Sequence, residues 1–281
     1  MHISMNNFNG RQMNRYASLK IWALTFIFLL LLVLPGYAGE QKAKESQKIS
    51  RGYLSIEELP DTRLIPPPPS PGSTGFAHDE EISKKTLRLQ GTPRFKLAAK
   101  DADLSFPNAA DVFSCAADAP ITEKDTPRLY KLMQRILIDA GNISEMAKKR
   151  YWRDRPFLVN RQPICTPQYE KNIKNSSSYP SGHTAIGWAW ALVLTEVAPD
   201  RADAIIARGR AFGESRIVCN VHWYSDVMEG FLLGAALVAR LHANSEFRSD
   251  LDAARLEISN IRSKGIRLTK DCKKEADALR Y

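Results

Sequence analysis

The chain has 281 residues, of which 44% are hydrophobic, 25% are charged and 9% are aromatic. These proportions are typical of a globular protein and exclude intrinsic disorder, and the lack of a triplet glycine period excludes a collagen-like chain. The length allows one large domain or two small ones. The formal net charge is +9, but from residue 39 onward the chain carries 37 basic and 31 acidic residues, a net charge of +6. This mild excess suits a small anionic substrate, although a solvated basic surface explains it equally well.

Residues 1–38 have the pattern of a secretory signal peptide. A basic stretch precedes an unbroken apolar run at 21–34, and small residues lie just before a cleavage position ahead of Gly39. An uncleaved membrane anchor is the alternative, but 14 apolar residues fall short of the roughly 20 that cross a bilayer. We therefore expect a periplasmic or secreted protein without stable membrane insertion after cleavage.

A polar, proline-rich arm is predicted at 39–78. Its four consecutive prolines at 66–69 cannot form a helix, and an arm packed along the domain surface is a simpler interpretation than a ligand for a proline-binding partner. Beyond it, strand signals almost vanish, and the pattern predicts helices at 79–89, 93–103, 107–116, 127–153, 183–197, 199–214, 223–242 and 245–258. We therefore predict an all-α fold: a single-domain helical bundle at 79–258, followed by a basic C-terminal tail at 259–281.

The clearest helix start lies at Pro127. Asp125 or Thr126 can cap this helix, and proline is favoured in a first turn. Pro156 is expected to end it, because proline disfavours the helical conformation in the residue before it. The segment 157–180 is rich in proline, asparagine and serine and is predicted to be a long loop, which inside a compact domain is usually functional.

The first of three candidate functional clusters is a pair of cations near the end of that helix. Lys148 and Arg155 are seven residues apart, a spacing that places both on one helix face. Lys149, Arg150 and Arg153 lie beside them, so that a solvated basic helix end is the simpler interpretation of this cluster alone.

The second cluster lies immediately before an apolar helix. Ser181 offers a hydroxyl, and the backbone N–H of Gly182 points outward at a helix start, where an anion is favoured. His183 can act as an acid or a ligand. A plain capping turn with a nearby histidine is the favoured explanation for such a short pattern by itself.

The third cluster follows Arg216 and contains a histidine and an aspartate. His222 and Asp226 are four residues apart, so a helix beginning near Val221 places them on one face. Asp226 can then accept from one imidazole nitrogen and leave the other as a nucleophile. A purely structural His–Asp pair explains this cluster equally well when it is taken alone.

Taken together, the clusters indicate a site for a tetrahedral oxyanion. Three cations, a helix-start Ser-Gly pair and two histidines supply what a phosphoryl pocket needs. In such a pocket, fixed donors neutralise the three equatorial oxygens of the phosphoryl group. A nucleophile and a proton donor lie on opposite sides of the phosphorus atom.

The three clusters resemble the three-part signature of the PAP2 phosphatase and vanadium haloperoxidase superfamily. The matching stretches are Lys148-x6-Arg155-Pro156, Pro180-Ser181-Gly182-His183 and Ser215-Arg216-x5-His222-x3-Asp226. More closely, the chain resembles the bacterial class A non-specific acid phosphatases, over about residues 53–258. The resemblance implies a PAP2-type helical bundle and an acid phosphatase that hydrolyses a broad range of phosphomonoesters.

The resemblance also implies a role for each motif residue. His222 is the expected nucleophile that forms a phosphohistidine, Asp226 orients it, and His183 protonates the leaving alcohol. The expected phosphate-binding residues are Lys148, Arg155, Ser181, Gly182 and Arg216. No metal or other cofactor is implied, in agreement with the residues themselves, because the cations already supply the charge that a metal would provide.

Four isolated cysteines in an exported chain predict two disulfides, and three pairings are open. Cys165 and Cys219 flank segments that converge on one phosphate in a site of this family, so we expect them to lie within the ~7 Å bridging limit and to pair. Cys115 is then left to pair with Cys272.

Two other functions use the same residues. A vanadate-dependent haloperoxidase would hold vanadate in the same pocket, and halide oxidation would reveal it. A catalytically silent phosphate-binding module needs only the cations, so an intact His222, His183 and Asp226 argue against it. The expected partners are small-molecule phosphomonoesters and further copies of the chain in a homo-oligomer, with no nucleic acid polymer.

Overall fold

The computed structural model describes residues 51–280. The predicted signal peptide at 1–38 and the first part of the predicted arm, 39–50, lie outside the described residues. The described part is all-α, as predicted, with α-helices and short 3-10 helices and no strand between residues 51 and 280.

Twelve α-helices occur within the described range, several of them only one turn long. They are α1 (Thr74–Leu87), α2 (Pro93–Asp101), α3 (Asn108–Asp111), α4 (Ser114–Ala117), α5 (Pro127–Arg150), α6 (Pro156–Asn160), α7 (Glu170–Ile173), α8 (Gly182–Val197), α9 (Ala202–Val218), α10 (Tyr224–Leu241), α11 (Ser245–Ser263) and α12 (Lys273–Ala278). The 3-10 turns are Ile56–Glu58, Thr62–Leu64, Pro167–Tyr169 and Pro199–Arg201.

The start of α5 is where the sequence predicted it, but its cap is different. Asp125 bonds within the preceding turn, and the Thr126 side chain does not cap the helix. Instead the amides of Arg128 and Leu129 donate to the carboxylate of Glu257, on α11, at 3.1 and 3.0 Å. An acceptor at a helix start is favourable wherever it comes from, and a partner so distant in sequence leaves no local signal.

The end of α5 corrects the prediction for the first cation pair. The helix ends at Arg150, Tyr151 is extended, and Arg155 is the N-cap of the separate helix α6. Lys148 and Arg155 therefore do not share a helix face. Proline at the first position of a helix is favourable, so Pro156 begins α6 instead of merely ending α5.

Other boundaries also differ from the predictions. The predicted helix 107–116 is divided into α3 and α4, and the predicted loop 157–180 contains most of α6 and the whole of α7. Helix α11 continues to Ser263, into the predicted C-terminal tail.

The apolar helix α8 lies at the centre of the bundle. It packs against α5, α9, α10 and α11. Trp190 is fully buried on α8, and its indole N–H donates to the carbonyl of Met133 on α5 at 2.9 Å. A helix that is apolar on nearly every side is stable only when neighbours surround it, so the composition of α8 dictates its central place.

Helix α10 approaches the start of α8 very closely at Gly230. A β-carbon at this position would lie 2.6 Å from the carbonyl oxygen of Ser181 and 2.7 Å from Cβ of Thr184. The amide of Ser181 also donates to the carbonyl of Asp226 at 2.9 Å. These contacts place the second and third sequence clusters against each other.

We expect Gly230→Ala to lower the free energy of unfolding by about 1–3 kcal/mol, because the methyl group meets backbone that cannot move aside. Gly141, in the middle of α5, is the matched control, since a β-carbon there would meet nothing within 4 Å. Gly141→Ala should raise the free energy of unfolding by roughly 0.5–1 kcal/mol. Urea denaturation of both variants measures the difference, and a stabilising Gly230→Ala would contradict the close packing.

The described part of the arm packs against the helices. Ile65 is buried, and the Tyr179 hydroxyl donates to the carbonyl of Pro66 at 2.6 Å. The amide of Tyr53 donates to the buried Asp139 on α5 at 2.8 Å. The arm therefore supports the residue that stands two positions before Ser181.

Two disulfides hold the fold, in the pairing expected from the sequence. Cys165 is bonded to Cys219 with a Cα–Cα distance of 4.7 Å, and Cys115 to Cys272 with 5.7 Å. The second bond ties the short helix α12 to the body of the protein. Among the described residues, none of the helices has the length and hydropathy of a membrane span.

Candidate active site

The turn that carries His222 is fixed on both sides. Cys219 is disulfide-bonded to Cys165, and the amide of Cys165 donates to its carbonyl at 3.2 Å. Asn220 adopts a left-handed conformation (φ 61°), which asparagine tolerates better than most residues, and its side chain pairs with Asn160. The chain thereby reverses from α9 into α10 and brings His222 to the helix start.

His222 and Asp226 meet at the start of α10. The helix begins at Tyr224, with Trp223 as its N-cap, so His222 lies just outside it and not on its face as predicted. Asp226 Oδ2 accepts from the Trp223 amide at 2.8 Å and lies 3.4 Å from His222 Nδ1. The pairing expected from the spacing of four is present, and a capping carboxylate positions it.

A neighbouring arginine determines the tautomer of His222. The Nη1 atom of Arg155 lies 3.2 Å from His222 Nε2. Because a guanidinium only donates, Nε2 must accept, and the ring proton is left on Nδ1 toward Asp226. This is the tautomer in which Nε2 carries no proton, and its electron pair accepts the hydrogen bond of Arg155.

The carbonyl oxygens of two loops hold Arg155 in place. Its guanidinium donates to the carbonyls of Val221 at 2.9 Å and Ser177 at 3.1 Å. Burial lowers the pKa of Arg155 to about 10. This value is still high enough for the guanidinium to be cationic at neutral and acid pH.

Arg216, in the last turn of α9, is buried with two unpaired nitrogens. The residue is 5% exposed, and neither Nε nor Nη1 has a hydrogen-bond partner among the described residues. Burial, and next the charge of Arg155, lowers its pKa to about 9, so the guanidinium is still charged. A buried cation without an anion is costly, and the pair of free N–H groups therefore indicates an anion-binding site.

The start of α8 adds neutral donors and a third cation. Ser181 Oγ accepts from the Thr184 amide at 3.3 Å and from the Thr184 hydroxyl at 2.8 Å, so its own proton can be donated outward. A β-carbon at Gly182 would lie 3.8 Å from Lys148 Nζ, which shows how closely this cation approaches the helix start. Burial lowers the pKa of Lys148.

His183 lies one residue beyond this helix start. Its Nε2 is 3.1 Å from the carbonyl oxygen of Ala102 and must carry a proton for that hydrogen bond to exist. Burial, followed by the charge of Arg216, lowers the pKa of His183 well below its ordinary value.

The electrostatic interactions join all these groups into one site. Burial and the charges of Arg155, Arg216 and Lys148 lower the pKa of His222 well below its ordinary value. Every site residue that the sequence singled out is brought together: Lys148, Arg155, Ser181, Gly182, His183, Arg216, His222 and Asp226.

For Arg153, the simpler interpretation of the first cluster, a solvated basic helix end, is wrong. Arg153 is buried, and its Nη1 donates to Asp226 Oδ1 at 2.7 Å. The segment 151–155 is extended, with Trp152 and Asp154 exposed and Arg153 and Arg155 buried. The spacing of two between the arginines is the signal for this arrangement, because side chains alternate along extended backbone.

Comparison with known proteins agrees with this geometry. The family model of the PAP2 superfamily matches residues 133–249, which include all eight site residues. A non-specific acid phosphatase of Providencia stuartii is 42% identical over 212 residues, 75% of this chain and 86% of the relative. The chain belongs to the bacterial non-specific acid phosphatases of the PAP2 superfamily.

Further relatives show the same assignment. A non-specific acid phosphatase of Salmonella typhi is 40% identical over 83% of this chain and 92% of its own length. An acid phosphatase of Zymomonas mobilis is 40% identical over 71% of this chain and 75% of its own length. The chain is thus a phosphoric monoester hydrolase, and the expectation from the sequence is confirmed at that level.

The candidate site is built mainly from cations and two histidines. Among residues 51–280, no group of three or more His, Cys, Asp or Glu side chains is arranged to hold a metal ion. The arrangement can bind a phosphoryl group through fixed donors, offer it a neutral imidazole nitrogen and supply a proton from a second imidazole.

Proposed function

We propose that this acid phosphatase hydrolyses a broad range of phosphomonoesters through a phosphohistidine on His222, without a metal. The observation that carries the proposal is the buried Arg216 with two unpaired nitrogens, in one electrostatic group with His222. A phosphoryl group bound there would pair the guanidinium and lie within reach of Nε2. Lys148 and Arg155 supply further positive charge.

In the first step, Arg155 Nη1 donates to the phosphoryl group and no longer to His222 Nε2. The electron pair of Nε2 then forms a bond to phosphorus, and the bond from phosphorus to the leaving oxygen breaks. Protonated His183 gives its proton to that oxygen, which departs as an alcohol. Asp226 accepts the Nδ1 hydrogen bond and stabilises the positive charge that develops on the ring.

In the second step, water attacks the phosphohistidine. Neutral His183 takes a proton from the water as the new oxygen–phosphorus bond forms and the nitrogen–phosphorus bond breaks. Inorganic phosphate leaves, His222 regains its free electron pair, and His183 is again protonated. All the proposed phosphate ligands hold the phosphoryl group itself, which supports a broad range of leaving alcohols.

An exported enzyme is part of the same proposal. The leader pattern at 1–38 supports it, and the two disulfides are typical of proteins that fold in an oxidising compartment. A homo-oligomer remains a prediction from the sequence.

The pH dependence of kcat/KM in the presence of EDTA tests the proposal. His222 must be neutral to attack and His183 must be protonated to donate, and the pKa of each lies below its ordinary value of 6.5 in the free enzyme. Activity should therefore rise through the lowered pKa of His222, fall through that of His183, and peak below pH 6.5. A bound phosphate dianion offsets the nearby cations, so the descending limb of kcat should lie at higher pH than that of kcat/KM.

His183→Gln provides the control for the descending limb. This variant should lose more activity on an alkyl phosphate than on an aryl phosphate, whose leaving group needs less protonation. A peak above pH 7, or a strict requirement for an added divalent metal, would contradict the proposal.

A further inference from the structure

A buried chain of charges extends behind the His222–Asp226 pair. Arg153 lies between two carboxylates: its Nη1 is 2.7 Å from Asp226 Oδ1, and its Nη2 is 2.6 Å from Asp79 Oδ2. Asp79 is on α1, and the three side chains are all at least nine-tenths buried. Asp79 lies outside the three sequence clusters, and Arg153 lies within the first but is not one of its motif residues.

The position of Asp79 is itself fixed by the start of α10. Its Oδ1 accepts from the amide of Ser225 at 2.8 Å, and its Oδ2 accepts from the Ser225 hydroxyl at 2.7 Å. The guanidinium of Arg153 is placed over two aromatic rings, 5.3 Å from the centroid of Trp223 and 5.6 Å from that of Phe76. Charge, hydrogen bonding and ring contacts therefore restrict Arg153 to one orientation.

The two oxygens of Asp226 have separate partners. Oδ1 is bonded to Arg153, and Oδ2 faces His222 Nδ1 and the Trp223 amide. A carboxylate with one oxygen anchored cannot rotate without breaking a buried ion pair, which is strongly unfavourable.

We propose that Arg153, anchored by Asp79, is a positioning residue that holds Asp226 ionised and aimed at His222. This inference rests on the proposed roles of His222 and Asp226. Besides the two carboxylates, the guanidinium of Arg153 donates to the Ser225 hydroxyl at 2.7 Å. Asp226 is the contact through which it acts on His222.

The groups around Asp226 determine the pH range in which its carboxylate is ionised. The charged or titratable groups that face it are Arg153 from the extended segment, His222 from the preceding turn, Arg155 from the start of α6, and Tyr179 from the segment before α8. Asp79 from α1 stands behind Arg153. Burial raises the pKa of Asp226, and Arg153 is the first of the groups that oppose it. Without that cation, Asp226 would take up a proton at the acid end of the working range.

Arg153→Met removes the cation and keeps much of the apolar stem. We expect kcat to fall about 10- to 100-fold with KM changed by less than about threefold, as for other residues that orient a catalytic group. The ascending limb of the pH profile should move to higher pH, because a protonated Asp226 no longer supports His222. Arg153→Lys should recover part of the lost kcat and should move the ascending limb part of the way back toward its wild-type pH.

Arg135→Met is the matched control. Arg135 is also buried and paired with two carboxylates, Glu246 and Asp250, but it lies 13 residues before Lys148 on α5, about 20 Å along the helix. The Arg135→Met substitution should lower the free energy of unfolding without changing kcat or the pH profile.

If Arg153→Met does not fold, Asp79→Asn tests the positioning role of Arg153. The amide oxygen of the variant can still accept from the Ser225 amide, but the NH₂ group that replaces Oδ2 cannot accept from Arg153, so both the charge and the hydrogen bond that anchor Arg153 are lost. A smaller loss of kcat than in Arg153→Met and the same direction of shift of the ascending limb are expected. An unchanged kcat and pH profile in a folded variant at either position would overturn the inference.

Acid-quenched wild-type enzyme separates this inference from the proposed function. If the wild type carries no phosphoryl label on His222, the proposed function and this inference fail together. If the wild type is labelled and the variants keep the wild-type profile, only the role of Arg153 fails.

Discussion

His222→Ala is expected to reduce kcat by about 10⁴-fold or more, because no other side chain of the described site is placed to take the phosphoryl group from the substrate. The fold should survive, since Asp226 still caps the Trp223 amide and the turn is still held by the disulfide between Cys165 and Cys219. Phosphate release measured together with a thermal unfolding curve separates loss of chemistry from loss of structure.

Covalent labelling gives the same prediction a second measurement. Enzyme quenched in acid during turnover of a phosphoryl-labelled substrate should carry the label on His222, and the alanine variant should carry none. His242→Ala is the matched control, because His242 also pairs with a carboxylate, at 2.9 Å from Glu196, but is partly exposed at the C-terminal end of α10. Label on another residue, or sustained turnover by His222→Ala, would refute the nucleophile assignment.

Arg216→Met is expected to act in opposite directions on activity and on stability. Phosphate and vanadate should inhibit the variant at least about 100-fold more weakly, and kcat/KM should fall by about 10³-fold, because two charge-assisted donors to the phosphoryl oxygens are lost. The free energy of unfolding should stay the same or rise, since a buried cation with unpaired nitrogens is removed.

Arg208→Met, on the same helix, is the matched control, because it removes a buried arginine that is paired with a carboxylate. Arg208 is as buried as Arg216, at 3% exposure of the side chain, but it is bonded to the buried Asp101 at 3.2 Å. Arg208→Met leaves the buried carboxylate of Asp101 without this cation and should lower the free energy of unfolding by about 3–5 kcal/mol. If both variants were destabilised alike and Arg216→Met kept its phosphate inhibition, Arg216 would be a structural arginine and the anion site would lie elsewhere.

Local patterns in the sequence were enough to place the long helices and to select the candidate site residues. Apolar composition predicted α8, and the prediction of a start at Pro127 is confirmed. These features depend on neighbours within a few residues, where spacing and turn chemistry act directly. The intervals within each cluster likewise made His222 and Asp226 recognisable as a pair.

Predictions that extended a local rule across a boundary failed. Lys148 and Arg155 converge through two separate helices and not through one face, because the chain is extended between them. The cap of α5 comes from Glu257, and Arg153 is buried although its local composition suggested solvent. In each case the deciding partner is supplied by a distant segment.

The sequence by itself determined the all-α class, the three clusters and the family. Only the tertiary structure decided the state of each charge: on one helix, Arg208 is paired with Asp101, whereas Arg216 keeps two nitrogens unpaired among the described residues. The physical reason is that the cost of a buried charge depends on what packs against it, and Asp101 lies 107 residues from Arg208 in sequence. Residue type and spacing are local properties, but pairing and burial are set by the packing of the whole bundle.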